Sequence, residues 1–240
     1  MTGNHADGGA MSVLLVHGAW HTAAVWHDLA DQLEHRRIAC AVSELHRGDL
    51  HADIDAASQA MATLPADQRV LAVGHSYGGT VITGLPAGRL GHLLYLCATM
   101  PDAGETTLGL MRSEPDTALM RAVRMTPPGS TTAIVDPAEA ADAFCHQLSP
   151  EQQQRHTAAL VPQEMGRGEQ SPATIAWHSV PSTYVICTQD RALSPVLQQR
   201  LAQRATRHIS WPSDHSPFSS RPDALLSLIA SIAAPSSASE

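Results

Sequence analysis

Short apolar runs alternate with segments of helical period along most of this chain. The first run covers residues 12–17 and is followed by a helix predicted over about 22–36, in which Val25, Leu29 and Leu33 share one face. A second run at 38–42 leads to a helix around 53–64, a third at 69–74 to a helix from Ser76, and a fourth occupies 92–97. The pattern resumes with a run at 183–188, a helix from Ser194-Pro195 and a run near 208–211. A last helix carries Leu225, Leu228, Ile229 and Ile232 at i, i+3, i+4 and i+7. Such alternation predicts an α/β fold: a mostly parallel twisted sheet with helices on both faces.

Between about 101 and 180 the character changes. Pro, Gln and Met increase, strand signals vanish, and helix starts occur at Asp136-Pro137-Ala138-Glu139 and Ser149-Pro150-Glu151-Gln152. Both read as capping boxes with Pro at the first helical position. The segment is expected to be a helical lid inserted into one domain spanning 1–240, with a core from 11–100 and 181–234. Residues 1–10 and 235–240 have the small polar composition of flexible termini.

Composition agrees with one sizeable core, since 43% of the 240 residues are apolar and only 16% charged. The formal charge is -8, and all fifteen basic residues are Arg without clustering, which argues against nucleic acid and membrane surfaces as partners. A homodimer stays open. The N-terminal stretch lacks a basic n-region and the run at 13–16 is too short for a signal sequence or membrane span, so a cytoplasmic location is expected. Cysteines 40, 97, 145 and 187 show no C-x-x-C spacing, and three of them sit in strand-like runs, as buried free thiols do.

The segment from Val70 to Val81 reads as strand, turn and helix around Gly74-His75-Ser76-Tyr77-Gly78. A serine hydroxyl is a poor nucleophile and must project from a sharp turn where a base reaches it; the close backbones of such a turn require glycine at 74 and 78. The rival for a glycine-rich βα turn is a phosphate site, yet no G-x-x-x-x-G-K-[ST] or G-x-G-x-x-G occurs. Ser76 is therefore the candidate nucleophile. His17-Gly18-Ala19-Trp20 after the first run is placed to supply an oxyanion donor, the pair being the backbone amides of Ala19 and Tyr77.

Of fourteen histidines, His215 lies in a loop between the last run and the last helix, where α/β sheets keep their sites, and is the candidate base. His17 and His75 read as packing groups, and His21, His27, His46, His51 and His178 as surface or lid residues. His17 with His21, or His46, Asp49 and His51, are thinkable metal sets, but nothing resembles H-E-x-x-H, so no metal and no cofactor are expected. The acid that orients the imidazole should end another strand in the order Ser, Asp, His. Asp190 fits, Asp102 competes from the earlier loop, and Asp214 reads as a turn residue. Trp20, His75, Met100, Met120, Met125, Phe144 and Trp177, with Met111 and Met165, are candidates to line an apolar pocket, against the plainer reading that a Met-rich segment merely packs.

Together Leu14-Leu15-Val16-His17-Gly18-Ala19-Trp20-His21, Gly74-His75-Ser76-Tyr77-Gly78-Gly79, Ala98-Thr99-Met100-Pro101, Thr188-Gln189-Asp190 and Asp214-His215 resemble bacterial α/β-hydrolases similar to the plant methylesterase and hydroxynitrile lyase family. The resemblance covers both halves of the core and only loosely the lid. It implies that Ser76, Asp190 and His215 form the triad and that Ala19 and Tyr77 donate to the oxyanion. The lyases of that family carry Thr where Gly18 stands and Lys where Ser216 stands, and this chain contains no lysine, which favours the esterase branch. The expected activity is hydrolysis of a methyl ester or lactone of a small apolar molecule through an acyl-enzyme. The alternatives are a non-hydrolytic biosynthetic reaction on the same triad, such as C–C cleavage, cyclisation or acyl transfer, and a ligand receptor with a hydrolase body.

Overall fold

The computed structural model describes residues 9–45, 48–114 and 116–235. The expectations for residues 1–8, 236–240 and His46 lie outside these. Four strands come from the first half: β1 (Ser12–Val16), β2 (Cys40–Ser43), β3 (Val70–His75) and β4 (Leu90–Leu96). In the middle of the chain are β5 (Val123–Met125), β6 (Thr132–Val135) and β7 (Gln163–Glu164), and the last part adds β8 (Ser182–Cys187) and β9 (Arg207–Trp211). The main sheet has the order β2-β1-β3-β4-β8-β9 and every pairing in it is parallel.

Burial follows position in the sheet. Every residue of β1, β3 and β8 is buried, as continuous apolar runs covered on both faces require, whereas edge strand β9 is mostly exposed. Alternate side chains of β1 enter opposite cores. Leu14 and Val16 pack with α2 (Leu50–Ala62), α3 (Gly78–Thr83) and α8 (Pro195–Ala202), and Val13 and Leu15 with α1 (His27–His35) and α10 (Pro222–Ala233). Each fully buried Leu or Ile contributes on the order of 2 kcal/mol. In α10 the buried stripe is Leu225, Leu226, Ile229 and Ala233, with Leu228 and Ile232 at its margin, one position round from the expected face.

The segment between β4 and β8 contains α4 (Thr107–Arg112), α5 (Ala118–Ala122), α6 (Ala140–Phe144) and α7 (Pro150–Ala158). It is not purely helical: β5, β6 and β7 form an antiparallel sheet with Val123 opposite Val135 and Met125 opposite Ala133. The signal was Thr-Ala-Ile-Val after Pro127-Pro128-Gly129, a β-branched run beyond a turn. Ser149 caps α7 in a full capping box with Gln152. The box expected at Asp136 does not form; Asp136 Oδ1 instead accepts the Ala138 amide at 3.0 Å, Glu139 pairs with Arg124 at 3.7 Å, and α6 begins at Ala140. Trp20, from the loop after β1, packs into this segment's own core with Leu119 and Phe144. Among the described residues no helix is long and apolar enough to cross a membrane.

Candidate active site

The turn after β3 puts Ser76 at φ +53, a left-handed conformation that costs a non-glycine residue about 1–3 kcal/mol. It persists because the surrounding backbone leaves no other path. The Ser76 amide donates to Leu96 O at 3.2 Å, and its carbonyl accepts the amides of Gly79 and Thr99 at 3.0 and 3.1 Å. A Cβ on Gly74 would lie 2.6 Å from Gly78 O, and one on Gly78 2.5 Å from Val16 O, so neither position admits a side chain. Thr99 Oγ1 also donates to Ser76 O, and a chain of hydroxyls runs from Thr99 through Thr80 to Thr107 at 2.8 and 2.7 Å.

His215 follows β9 and is 1% exposed. Its Nδ1 lies 2.6 Å from Asp190 Oδ2. The same carboxylate accepts the amides of Ala192 and Leu193 on Oδ1, at 2.7 and 2.9 Å, and Gln198 Nε2 on Oδ2 at 2.8 Å. Surrounded by donors, Asp190 acts as acceptor throughout, which assigns the proton of His215 to Nδ1 and leaves a lone pair on Nε2. That Nε2 is buried and has no hydrogen-bond partner among the described residues. Asp102, the competing acid, is 42% exposed in its side chain and pairs with His178 Nε2 at 2.9 Å, away from His215. Asp214 is fully buried; it accepts the Ser216 amide, the Ser220 hydroxyl and, across from the insertion, the Gln147 amide.

Other histidines line the back of this pair. His75 donates from Nε2 to the His215 carbonyl at 2.8 Å, and its burial, reinforced by His215, holds its pKa well below the usual value. Cys97 Sγ reaches the same carbonyl at 3.6 Å. The side-chain ligand atoms of His75, Cys97 and His215, all buried, lie within 4.8 Å of one another. His21, expected at the surface, is 2% exposed: Nδ1 meets Ala19 O at 2.9 Å and Nε2 meets His156 Nε2 at 3.0 Å. It is buried because α7 of the insertion covers the loop after β1. His17 faces Leu45 N at 3.1 Å and Glu44 at 3.3 Å instead of His21, while His27, His51 and His178 are exposed as expected.

A cleft over the C-terminal edge of the sheet contains about 500 Å³ of space, its open mouth included. Ala19, Trp20, Ser76, Tyr77 and His215 line it together, with Asp190 behind the histidine. Met111 and Met165 also line it, but the other pocket candidates do not. Met100 and Phe144 are core residues, His75 lies behind His215, and Trp177 turns its indole to Pro101 O at 2.9 Å. Met120 and Met125 are 40% and 38% exposed on the outer surface. The methionines thus divide: Met111 and Met165 face the cleft, Met120 and Met125 solvent, and Met100 the core. The walls are instead completed by Thr107, Leu119, Gln163, Arg167 and Leu193.

Arg167 and Asp53 are a buried ion pair at 2.8 Å beside Tyr77, whose hydroxyl donates to the same Asp53 oxygen at 3.0 Å. The sequence holds a trace of this: Asp53 falls on the apolar stripe Leu50, Ile54, Ala57 and Met61, where an acid demands a partner. Gln163, Arg167 and Gln198 carry no comparable signal.

The alpha/beta hydrolase family model matches residues 13–228. The alpha/beta hydrolase nvfD of Aspergillus novofumigatus (strain IBT 16806) is 25% identical over 240 residues, covering 91% of this chain and 94% of its own. Among solved structures, a pyrethroid hydrolase from Sphingobium faniae JZ-2 superposes with a TM-score of 0.75 at 19% identity, covering 93% of this chain and 97% of that one. Polyneuridine aldehyde esterase superposes with a TM-score of 0.78 at 17% identity, covering 92% and 99%. The α/β-hydrolase resemblance read from the motifs therefore holds at the level of the family. With its family model matched across most of its length, this chain is an enzyme of the alpha/beta hydrolase family.

Proposed function

We propose that this hydrolase cleaves a carboxylic ester of a small apolar molecule, a methyl ester or a lactone, through Ser76, His215 and Asp190. The observation that carries the reading is the His215–Asp190 contact at 2.6 Å, with the opposite ring nitrogen unpartnered and Ser76 in the same cleft. His215 Nε2 takes the Ser76 proton as Oγ bonds to the ester carbonyl carbon. The amides of Ala19 and Tyr77 stabilise the resulting oxyanion. Collapse of the intermediate breaks the bond to the alcohol oxygen, which leaves with the proton from His215. Water then attacks the acyl-enzyme, giving its proton to His215, and the acid departs as Ser76 Oγ recovers that proton.

The predominantly apolar walls, with Leu108, Met111, Leu119, Met165 and Leu193, support an apolar acyl or alkyl group. Gly18 and Ser216, where the lyases carry Thr and Lys, support ester cleavage; Ser216 is fully buried and its amide donates to Asp214 Oδ1 at 3.1 Å. The test treats wild type and Ser76→Ala with a fluorophosphonate and with p-nitrophenyl esters. Labelling and turnover are expected in the wild type and lost in the variant; a variant that retains both refutes the nucleophile.

A further inference from the structure

The insertion holds Trp20, the neighbour of Ala19, and reaches Tyr77 through Asp53, mostly from one short piece, residues 161–167. Trp20 directly follows Ala19 and sits at φ +60, a conformation that lasts only where the surroundings impose it. Its amide donates to Gln163 Oε1 at 3.0 Å, its carbonyl accepts the Val161 amide at 2.9 Å, and its indole donates to Ala133 O at 3.2 Å. All three partners belong to the insertion. The second donor belongs to Tyr77, whose hydroxyl is fixed by Asp53, and Arg167 holds that Asp53 oxygen while its guanidinium lies 5.2 Å from the Tyr77 ring centroid. Gln163 and Arg167 are 3% and 2% exposed and both face the cleft. Burying an ion pair and a carboxamide next to a site is a poor way to gain stability, and its better-attested use is to fix one geometry.

We infer that Gln163 and Arg167 are positioning residues for the oxyanion hole: Gln163 sets the loop that presents the Ala19 amide, and Arg167, through Asp53, sets Tyr77. Residues 163–168 are then a structural member of the catalytic centre and not a displaceable cover. The inference rests on the ester-hydrolase reading and adds to it that the core alone does not complete the site.

The test compares wild type, Gln163→Met and Arg167→Lys on one p-nitrophenyl ester and its thiono counterpart, whose C=S sulfur is a weak acceptor and draws little from the amide donors. In both variants kcat on the oxo ester is expected to fall by up to about 10²-fold, the low end of the loss for one oxyanion donor, with KM little changed. The thiono ester loses much less, so the ratio of oxo to thiono turnover collapses, while the pH dependence of kcat keeps its midpoint. Gln163→Glu, which retains an acceptor oxygen for the Trp20 amide, is expected to recover part of the ratio. A general loosening of the structure would slow both esters alike. Equal losses on the two esters, or an unchanged ratio in Gln163→Met and Arg167→Lys, overturn the inference. If Gln163→Met fails to fold, Arg167→Lys decides by the same ratio. Failure of the underlying reading shows elsewhere, as ester turnover in the wild type that survives Ser76→Ala.

Discussion

Gln198 and His215 share one oxygen of Asp190, donating to Oδ2 from Nε2 at 2.8 Å and from Nδ1 at 2.6 Å. The Gln198 carboxamide is itself fixed, since its Oε1 accepts the Cys187 amide and its Nε2 also reaches Leu193 O. Gln198→Leu strips a donor from a buried carboxylate, and a loss of about 1–3 kcal/mol of stability is expected, read as a shift of the urea midpoint. Asp190→Asn is expected to lower kcat on an active ester by about 10⁴-fold, as loss of the tautomer-setting acid does in a well-studied triad. Asp102→Asn should leave kcat unchanged, because that carboxylate faces His178 at the surface. Comparable losses in the two variants would contradict this assignment.

Gly18 faces Ser76 so closely that a Cβ there would lie 2.8 Å from Ser76 Cβ and 2.9 Å from His75 Nδ1. Neither neighbour has room to yield, being main-chain-proximal or fully buried. Gly18→Ala is expected to lower kcat at least tenfold, a displacement of under 1 Å being enough for losses of about that size or more. Gly18→Thr should be worse. Steady-state kinetics on a p-nitrophenyl ester decides, and a Gly18→Thr enzyme of wild-type rate would show that the loop after β1 moves freely.

Much of this was legible in the residues. Apolar runs of strand length announce a parallel sheet because strands covered on both faces need side chains like those of Val13 to Val16, and Ser76 is announced by the glycines its turn requires. Asp190 and His215 follow from their places at strand ends. What stayed hidden depends on contacts between distant segments. Gln163 and Gln198 are ordinary polar residues until the fold brings Trp20 and Asp190 to them. Met120 and Phe144 have the same apolar character in the sequence, yet one faces solvent and the other the core, since short helices with little periodicity do not declare their buried side.

Ser76 holds its left-handed φ of +53 at a cost in stability. Ser76→Gly relieves that cost while Ser76→Ala keeps it. The glycine variant is expected to be the more stable of the two by roughly 1 kcal/mol, despite the greater freedom of glycine in the unfolded chain. Thermal melts of the two variants under one condition measure this; a lower Tm for Ser76→Gly would show that the turn is not strained.

His21, His75 and His156 are held below the usual histidine pKa in the folded protein, chiefly by burial; His156 and His75 add to this at His21, His215 and His156 at His75, and His215 at His156, where Asp214 opposes it and the value is pushed down to about 4. The unfolded chain takes up these protons near pH 6.5. Below that pH the unfolded state binds more protons than the native one, so their contribution favours folding fully above pH 6.5 and is lost as pH falls towards 4. Melting temperature is expected to decline across this window, and His156→Gln to flatten part of the decline. A slope identical in wild type and variant would remove His156 from the account.

The main sheet is divided in the chain by the insertion. Strands β1 to β4 find their partners within the first hundred residues, but Leu93 pairs with Ser182 and Leu96 with Val185. Closing so long a loop costs entropy before any strand contact repays it, and pairings of this separation slow folding. The segment that roofs the cleft is therefore also a kinetic interval: four of the six strands can pair without it, while the strand that delivers Asp190 must wait for the loop between to close.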